Sequence, residues 1–190
     1  MKIGFSGVPG AGKTSLARMI SAKLRPANVE LVSEYARRYL AKYNSIDDIH
    51  EQIRIFNKQV EWEEQVSYAD IMITDSVVFL GFLYALELKK DTRKDAMYLA
   101  DLFKEMIKLN TPRRYDIVFH IPPVLTPVRD NIRSEYQFDE LWRRRADIQL
   151  LNIMELFPPK ELHIISSTSI EERCEECLSI IADRSGVVLH

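Results

Sequence analysis

Eight residues near the start of the chain have the types and spacing for one kind of chemistry. Gly7, Val8, Pro9, Gly10, Ala11, Gly12, Lys13 and Thr14 read G-x-x-x-x-G-K-[ST]. Glycines in such a run let successive backbone N–H groups curl around phosphate oxygens. The helix that opens after them, starting with Lys13, Thr14 and Ser15, adds the partial positive charge of its N-terminus. Lys13 has the reach for β- and γ-phosphates, and the Thr14 hydroxyl is a ligand for Mg²⁺. The apolar residues 2–6 precede the loop and a helical pattern follows it, the setting this motif requires. Residues 7–15 are therefore the expected binding site for ATP.

Two carboxylates and a group of arginines complete a candidate constellation. Glu34 follows an apolar run at 29–32, and Asp75 follows another at 71–74. A carboxylate at the end of such a strand can help hold Mg²⁺ or take the proton of an attacking hydroxyl. Glu34 is the expected general base and substrate contact, with Tyr35, Arg37 and Gln59 as further substrate contacts. Asp75 is expected to share the metal with Thr14. The alternative roles are a helix-start charge for Glu34 and an N-cap for Asp75. Arg129, Arg133, Arg143, Arg144 and Arg145 fall in one polar stretch without lysine. Arginine grips phosphate bidentately, and phosphoryl transfer gains rate from such clamps. Arg129 and Arg133, four apart, fit one helical turn and are the expected catalytic pair, although pairing with nearby Asp130 and Glu135 would equally occupy them. Three consecutive arginines cannot face one site, so one or two of Arg143–Arg145 are expected to act.

Other suggestive residues read as structural. Cys174 and Cys177 lack the second pair that a zinc site needs. Trp62 and Trp142 lie in helical patterns, and the four histidines are too scattered for a nucleophilic site.

The elements that must hold these groups alternate. Strands are expected at 2–6, 29–32, 71–74, 117–121 and 162–165, apolar throughout as in a sheet covered on both faces. Helices are expected after the glycine loop, ending at Pro26, and over 77–88, 94–109 and 138–157. A capping box from Ser45 to Asp48 is read as opening a long helix to about 69. A second, from Ser169 to Glu172, opens the last helix. Pro122, Pro123 and Pro127 take the chain out of the sheet, so 124–145 is expected to form a lid. Strand–helix alternation implies crossover connections and a parallel sheet.

The chain has 190 residues, 46% of them hydrophobic, which predicts one folded domain over 1–190. Its formal charge of −2, from 26 basic and 28 acidic residues, argues against a general polyanion binder. Two cysteines and no apolar run long enough to span a bilayer point to the cytoplasm, as a monomer or homodimer. Asn57-Lys58 continues Gln59-Val60, so the guanine-reading Asn-Lys-x-Asp of small GTPases is absent, and no room remains for the extra helical domain of an AAA motor.

With the loop at 7–14, Glu34-Tyr35-Ala36-Arg37, Asp75-Ser76 and the arginines from 129 to 133, the chain resembles the small P-loop kinases of the nucleoside and nucleotide kinase group. Within it, the chain is similar to the AAA_28-type ATPase/kinase family, which includes nicotinamide riboside kinase domains. The resemblance implies an α/β P-loop sandwich with a five-stranded parallel sheet in order 2-3-1-4-5 and a mobile lid. Related deoxynucleoside kinases place an arginine after the acidic residue that follows the third strand. Here Asp75 is followed by Ser76, which leaves Arg37 or a lid arginine to supply that charge. The expected activity is ATP-dependent phosphoryl transfer to a nucleoside- or nucleotide-like acceptor. The alternatives are a phage-type kinase acting on 5-hydroxymethyl-pyrimidines in DNA and an ATP-binding switch without chemistry.

Overall fold

The computed structural model describes residues 1–24, 28–90, 92–111, 113–124 and 135–185. Five strands, β1 (Lys2–Ser6), β2 (Val29–Val32), β3 (Ile71–Thr74), β4 (Ile117–His120) and β5 (Glu161–Ile164), pair in parallel in the order β2-β3-β1-β4-β5. The expected order is borne out. The helices are α1 (Lys13–Lys23), α2 (Tyr35–Tyr43), α3 (Ile49–Gln65), α4 (Leu80–Glu87), α5 (Arg93–Asn110), α6 (Glu140–Leu156) and α7 (Ile170–Ser185), with a short 3₁₀ turn at Glu135–Phe138. β1 is central because its Ile3 and Phe5 are fully buried between strands and helices, alongside Ile73, Val118 and Phe119 of its neighbours. Burying an aliphatic or aromatic side chain gains roughly 1.5–3 kcal/mol, so this run can only sit inside the sheet.

Several element boundaries differ from the expected ones. Asp48, not Ser45, caps α3: its carboxylate accepts the Glu51 N–H at 2.8 Å, while the Ser45 hydroxyl turns to Asp47. α3 also ends at Gln65 rather than near 69. α2 is an additional helix. Its apolar residues Tyr35, Ala36, Tyr39, Leu40 and Tyr43 recur at helical spacing, although Tyr39 is its one buried residue. α4 starts at Leu80, not at 77: the turn before it closes i→i+3, with the Leu80 and Gly81 N–H groups on the Val77 and Val78 carbonyls, and its first amides anchor it to neighbouring elements. The Val77 N–H donates to the Phe5 carbonyl at 2.9 Å and the Val78 N–H to the Tyr115 hydroxyl at 3.0 Å. Phe138 lies in the 3₁₀ turn, and Asp139 caps α6 through the Trp142 N–H. The edge strand β5 is not apolar throughout: it alternates, and Leu162 and Ile164 are exposed. Ser169 and Glu172 do form the expected capping box on α7. Pro26 lies outside the described residues.

Beneath the sheet end of α3 sits a buried polar cluster. Glu63 accepts from the Arg114 Nε at 2.9 Å and from the Tyr115 hydroxyl at 2.9 Å. Tyr115 thereby ties α3 to the chain that follows β3. Burial pushes the Glu63 carboxyl and the Tyr115 phenol upward, opposed at Glu63 by the Arg114 charge.

Candidate active site

The turn after β1 is built by backbone that only glycine tolerates well. Gly7 has φ 141°, and a Cβ there would stand 2.5 Å from the Ile121 carbonyl oxygen. Gly12, at φ 96°, is the N-cap of α1. The Lys13 ammonium lies inside the loop, donating to the carbonyls of Gly7 at 2.7 Å and Val8 at 3.1 Å. Thr14 lies beside Asp75, where its hydroxyl favours the charged carboxylate. The expected phosphate-binding residues 7–15 thus form one loop and helix start at the C-terminal edge of the sheet, where parallel α/β sheets take ligands.

α6 reaches this loop from the side. Arg143 is only 4% exposed and its Nη1 donates to the Pro9 carbonyl. Arg144 pairs with Glu140 on the surface, and Arg145 is exposed. One of the three consecutive arginines therefore touches the loop. A buried histidine fixes the helix in place: His120 at the end of β4 bonds the Ser6 hydroxyl at 3.3 Å and the Asp147 carboxylate at 3.0 Å. Residues 140–145 of the expected lid are the first turns of α6. Arg129 and Arg133 lie outside the described residues.

Asp75 does not cap α4, whose N-cap is Phe79. It is 3% exposed, and its Oδ1 is buried without a hydrogen-bond partner among the described residues. Burial raises its pKa, the Glu34 charge raises it further, and the Thr14 hydroxyl with the Lys13 and Arg37 charges opposes both. An orphaned buried carboxylate oxygen beside a threonine hydroxyl is a donor set that suits a hard cation. Mg²⁺ commonly takes one or two protein oxygens plus phosphate and water, so Asp75 and Thr14 fit it.

Glu34 stands at the N-cap position of α2, yet its side chain makes no capping bond. Gln59 does that work instead: its Oε1 accepts the Tyr35 N–H at 2.7 Å and its Nε2 donates to the Thr74 hydroxyl at 3.3 Å. Glu34 is left facing Ser76, whose hydroxyl is 3.5 Å away. Next to it opens a shallow, half-open cleft lined by Glu34, Gln52, Phe56, Gln59, Ser76 and Tyr84, among others. The Tyr35 ring does not line it; it meets Trp62 edge-on at 4.9 Å. Arg37 is exposed, its charge felt at Asp75. Gln52 was not anticipated from sequence. It is 2% exposed, and its Oε1 has no partner among the described residues. The available signal was a pair of amides, Gln52 and Gln59, seven apart on the buried stripe that includes Ile49, Ile55 and Phe56.

Comparison with solved structures gives the fold company. A NadR protein in complex with NR superposes with a TM-score of 0.81 at 20% identity, covering 100% of this chain and 52% of that one. Another, in complex with NAD and AMP-PNP, gives 0.75 at 19% identity, again over 100% of this chain. The chain thus spans about half the length of these NadR proteins. The deoxyadenosine kinase from M. mycoides with dCMP and dCDP bound gives 0.69 at 17% identity, covering 96% and 100% of the two chains. The thymidylate kinase from Candida albicans gives 0.68 at 16% identity, covering 100% and 94%. The fold is therefore that of P-loop nucleoside and nucleotide kinases. No helix among the described residues is long and apolar enough to cross a membrane. No curated protein matches the chain by sequence. The AAA_28 family, described as an AAA domain, matches residues 2–173, and the chain belongs to it.

Proposed function

We propose that the protein is an ATP-dependent kinase that phosphorylates a hydroxyl of a small nucleoside-like acceptor. The observation that carries this reading is the position of Glu34: a carboxylate released from capping, with the phosphate loop on one side and a cleft on the other. Asp75, close enough to Glu34 to feel its charge, and Ser76, whose hydroxyl faces Glu34, stand between the loop and that cleft. ATP would lie with its phosphates in residues 7–15, Lys13 leaving the Gly7 and Val8 carbonyls for the β- and γ-phosphates. The acceptor hydroxyl, held in the cleft, gives its proton to Glu34 as its oxygen bonds to the γ-phosphorus. The bond from that phosphorus to the β–γ bridging oxygen breaks, and ADP departs. Asp75 and Thr14 would hold Mg²⁺, which neutralises phosphate charge when bound. Arg143 steadies the loop. Arg129 and Arg133, which lie outside the described residues, would meet the transferring group and exclude water that would otherwise hydrolyse ATP.

The phenyl face of Phe56 and the unpartnered Gln52 amide suit a flat ring with hydrogen-bonding edges. A second reading, an acceptor base within DNA, draws on the exposed side of α2. That helix carries Arg37, Arg38 and Lys42 and no acidic residue, and Arg38 lies 5.5 Å from the Trp62 ring centre. ADP release measured with nucleosides, nucleoside monophosphates, nicotinamide riboside and hydroxymethylated DNA tests both. Acceptor-dependent release with one of the small molecules supports the first reading. Release with hydroxymethylated DNA alone, together with a steep fall of DNA binding in salt, selects the second. Slow release that no acceptor accelerates contradicts both and leaves the switch.

A further inference from the structure

α7 presents an apolar stripe to the sheet: Ile170, Cys174, Cys177, Leu178 and Ile181. A cation interrupts it. Arg173 is 0% exposed, yet no carboxylate pairs with its guanidinium among the described residues. Its Nε donates to the Ser167 carbonyl at 2.8 Å, its Nη1 donates to the Ala11 carbonyl at 3.1 Å, and its Nη2 has no partner. The nearest acid, Glu176, is committed to the Ser166 and Ser167 N–H groups and the Ser167 hydroxyl. Burying an unpaired charge is costly, and a hydrophobic residue of similar volume would fill the stripe at lower cost. The position of the charge supplies a reason for it. The Ala11 carbonyl and the Gly12 N–H are the two ends of one peptide dipole, and Arg173 sits at the rear of it, its Nη1 4.0 Å from the site of a Gly12 Cβ. A cation on the carbonyl makes the N–H at the other end a stronger donor, because linked hydrogen bonds polarise one another.

We infer that Arg173 is a positioning residue for the donor phosphates, holding and polarising the Ala11–Gly12 peptide from behind while tying the chain after β5 to the phosphate loop. The inference rests on reading residues 7–14 as the ATP phosphate site. It gives the empty protein a buried charge whose counter-charge arrives with the nucleotide.

Calorimetric titration with ATP and with inorganic tripolyphosphate tests it in wild type, Arg173→Gln and Arg173→Lys, with thermal midpoints recorded in parallel. Arg173→Gln is expected to weaken both ligands by the same factor, about tenfold for the loss of one charge-assisted contribution. Arg173→Lys, which keeps the cation and a donor for Ala11, is expected to stay within about threefold of wild type for tripolyphosphate. A folded Arg173→Gln protein that binds both ligands as wild type does, with only a lower thermal midpoint, would show a core brace and overturn the inference. Should Arg173→Gln fail to fold, Arg173→Lys decides: tenfold or greater loss in a folded protein overturns it. Wild-type protein that takes up neither ligand contradicts the phosphate-site reading itself, an outcome distinct from a variant that binds normally.

Discussion

The two ends of the site are built on opposite terms. At the phosphate end each cation is already held by the loop's own backbone: Lys13 bonds the Gly7 and Val8 carbonyls, Arg143 the Pro9 carbonyl and Arg173 the Ala11 carbonyl. Of these, Lys13 is the cation placed to exchange its carbonyls for phosphate oxygens, while the two arginines brace the loop. At the acceptor end the polar groups are left open: the Gln52 Oε1 is buried without a partner among the described residues, and Glu34 is excused from capping by Gln59. Buried polar atoms are nearly always satisfied, so open ones concentrate where a ligand completes the set. The difference suggests a division of labour, in which the donor end is held in shape and the acceptor end holds back its bonds.

The largest effect should come from the phosphate end. Lys13→Ala should reduce turnover to background while the fold survives, since it removes the charge that the β- and γ-phosphates require. Activity assays beside a thermal melt check this, and retained turnover would break the division at once. A smaller effect is expected at the open end. Gln52→Leu should raise KM for the acceptor about tenfold, the scale of one hydrogen bond to a buried partner, and leave KM for ATP unchanged. Steady-state kinetics with each substrate varied in turn will show whether the split holds.

Asp75→Asn should have opposite consequences for function and stability. Turnover should need more Mg²⁺, because an amide is a weaker ligand than a carboxylate. The empty protein should become more stable at neutral pH. The folded-state pKa of Asp75 lies above its unfolded value, so ionised Asp75 opposes folding at any pH above that raised value. As pH falls through it the carboxyl protonates, the opposition fades, and the stability advantage of Asn should shrink. Urea unfolding across pH tests the sign, and a gain that grows toward acid would contradict it. By the same logic the Mg²⁺ requirement of the wild type should rise as pH falls.

The two ends also differ in how far the sequence discloses them. The phosphate loop is local: eight consecutive residues with three glycines define its backbone, so the strand–turn–helix around it and the parallel sheet could be read directly. The acceptor end is assembled from single residues on separate elements. Gln52 is one of three polar residues buried on α3, with Gln59 and Glu63, and nothing in their spacing singles it out; α2 has the apolar repeat of a helix, but with Tyr39 alone buried it lies outside the core that organises the rest. Gln59 was expected at the substrate. It does line the cleft, but both ends of its amide are bound to Tyr35 and Thr74, a role that no spacing could reveal. The run Arg143-Arg144-Arg145 shows the same limit. Helical geometry dictates that the three diverge, but only the packing of α6, fixed by His120 and Asp147, selects Arg143. Arg173 carried a signal that went unread: a cation at an apolar-stripe position of α7.

Glu34→Gln tests most directly whether the two ends meet in a reaction. The substitution keeps the shape and removes the base, and because Glu34 caps nothing the thermal midpoint should hold. In the wild type, ADP and phosphorylated acceptor should appear one for one. In Glu34→Gln both should fall together, with kcat lower by about 10²–10⁴ and ATP affinity little changed. A Glu34→Gln protein that keeps the wild-type kcat would show that the carboxylate is only a charge at the start of α2, and the catalytic account of the cleft would be wrong.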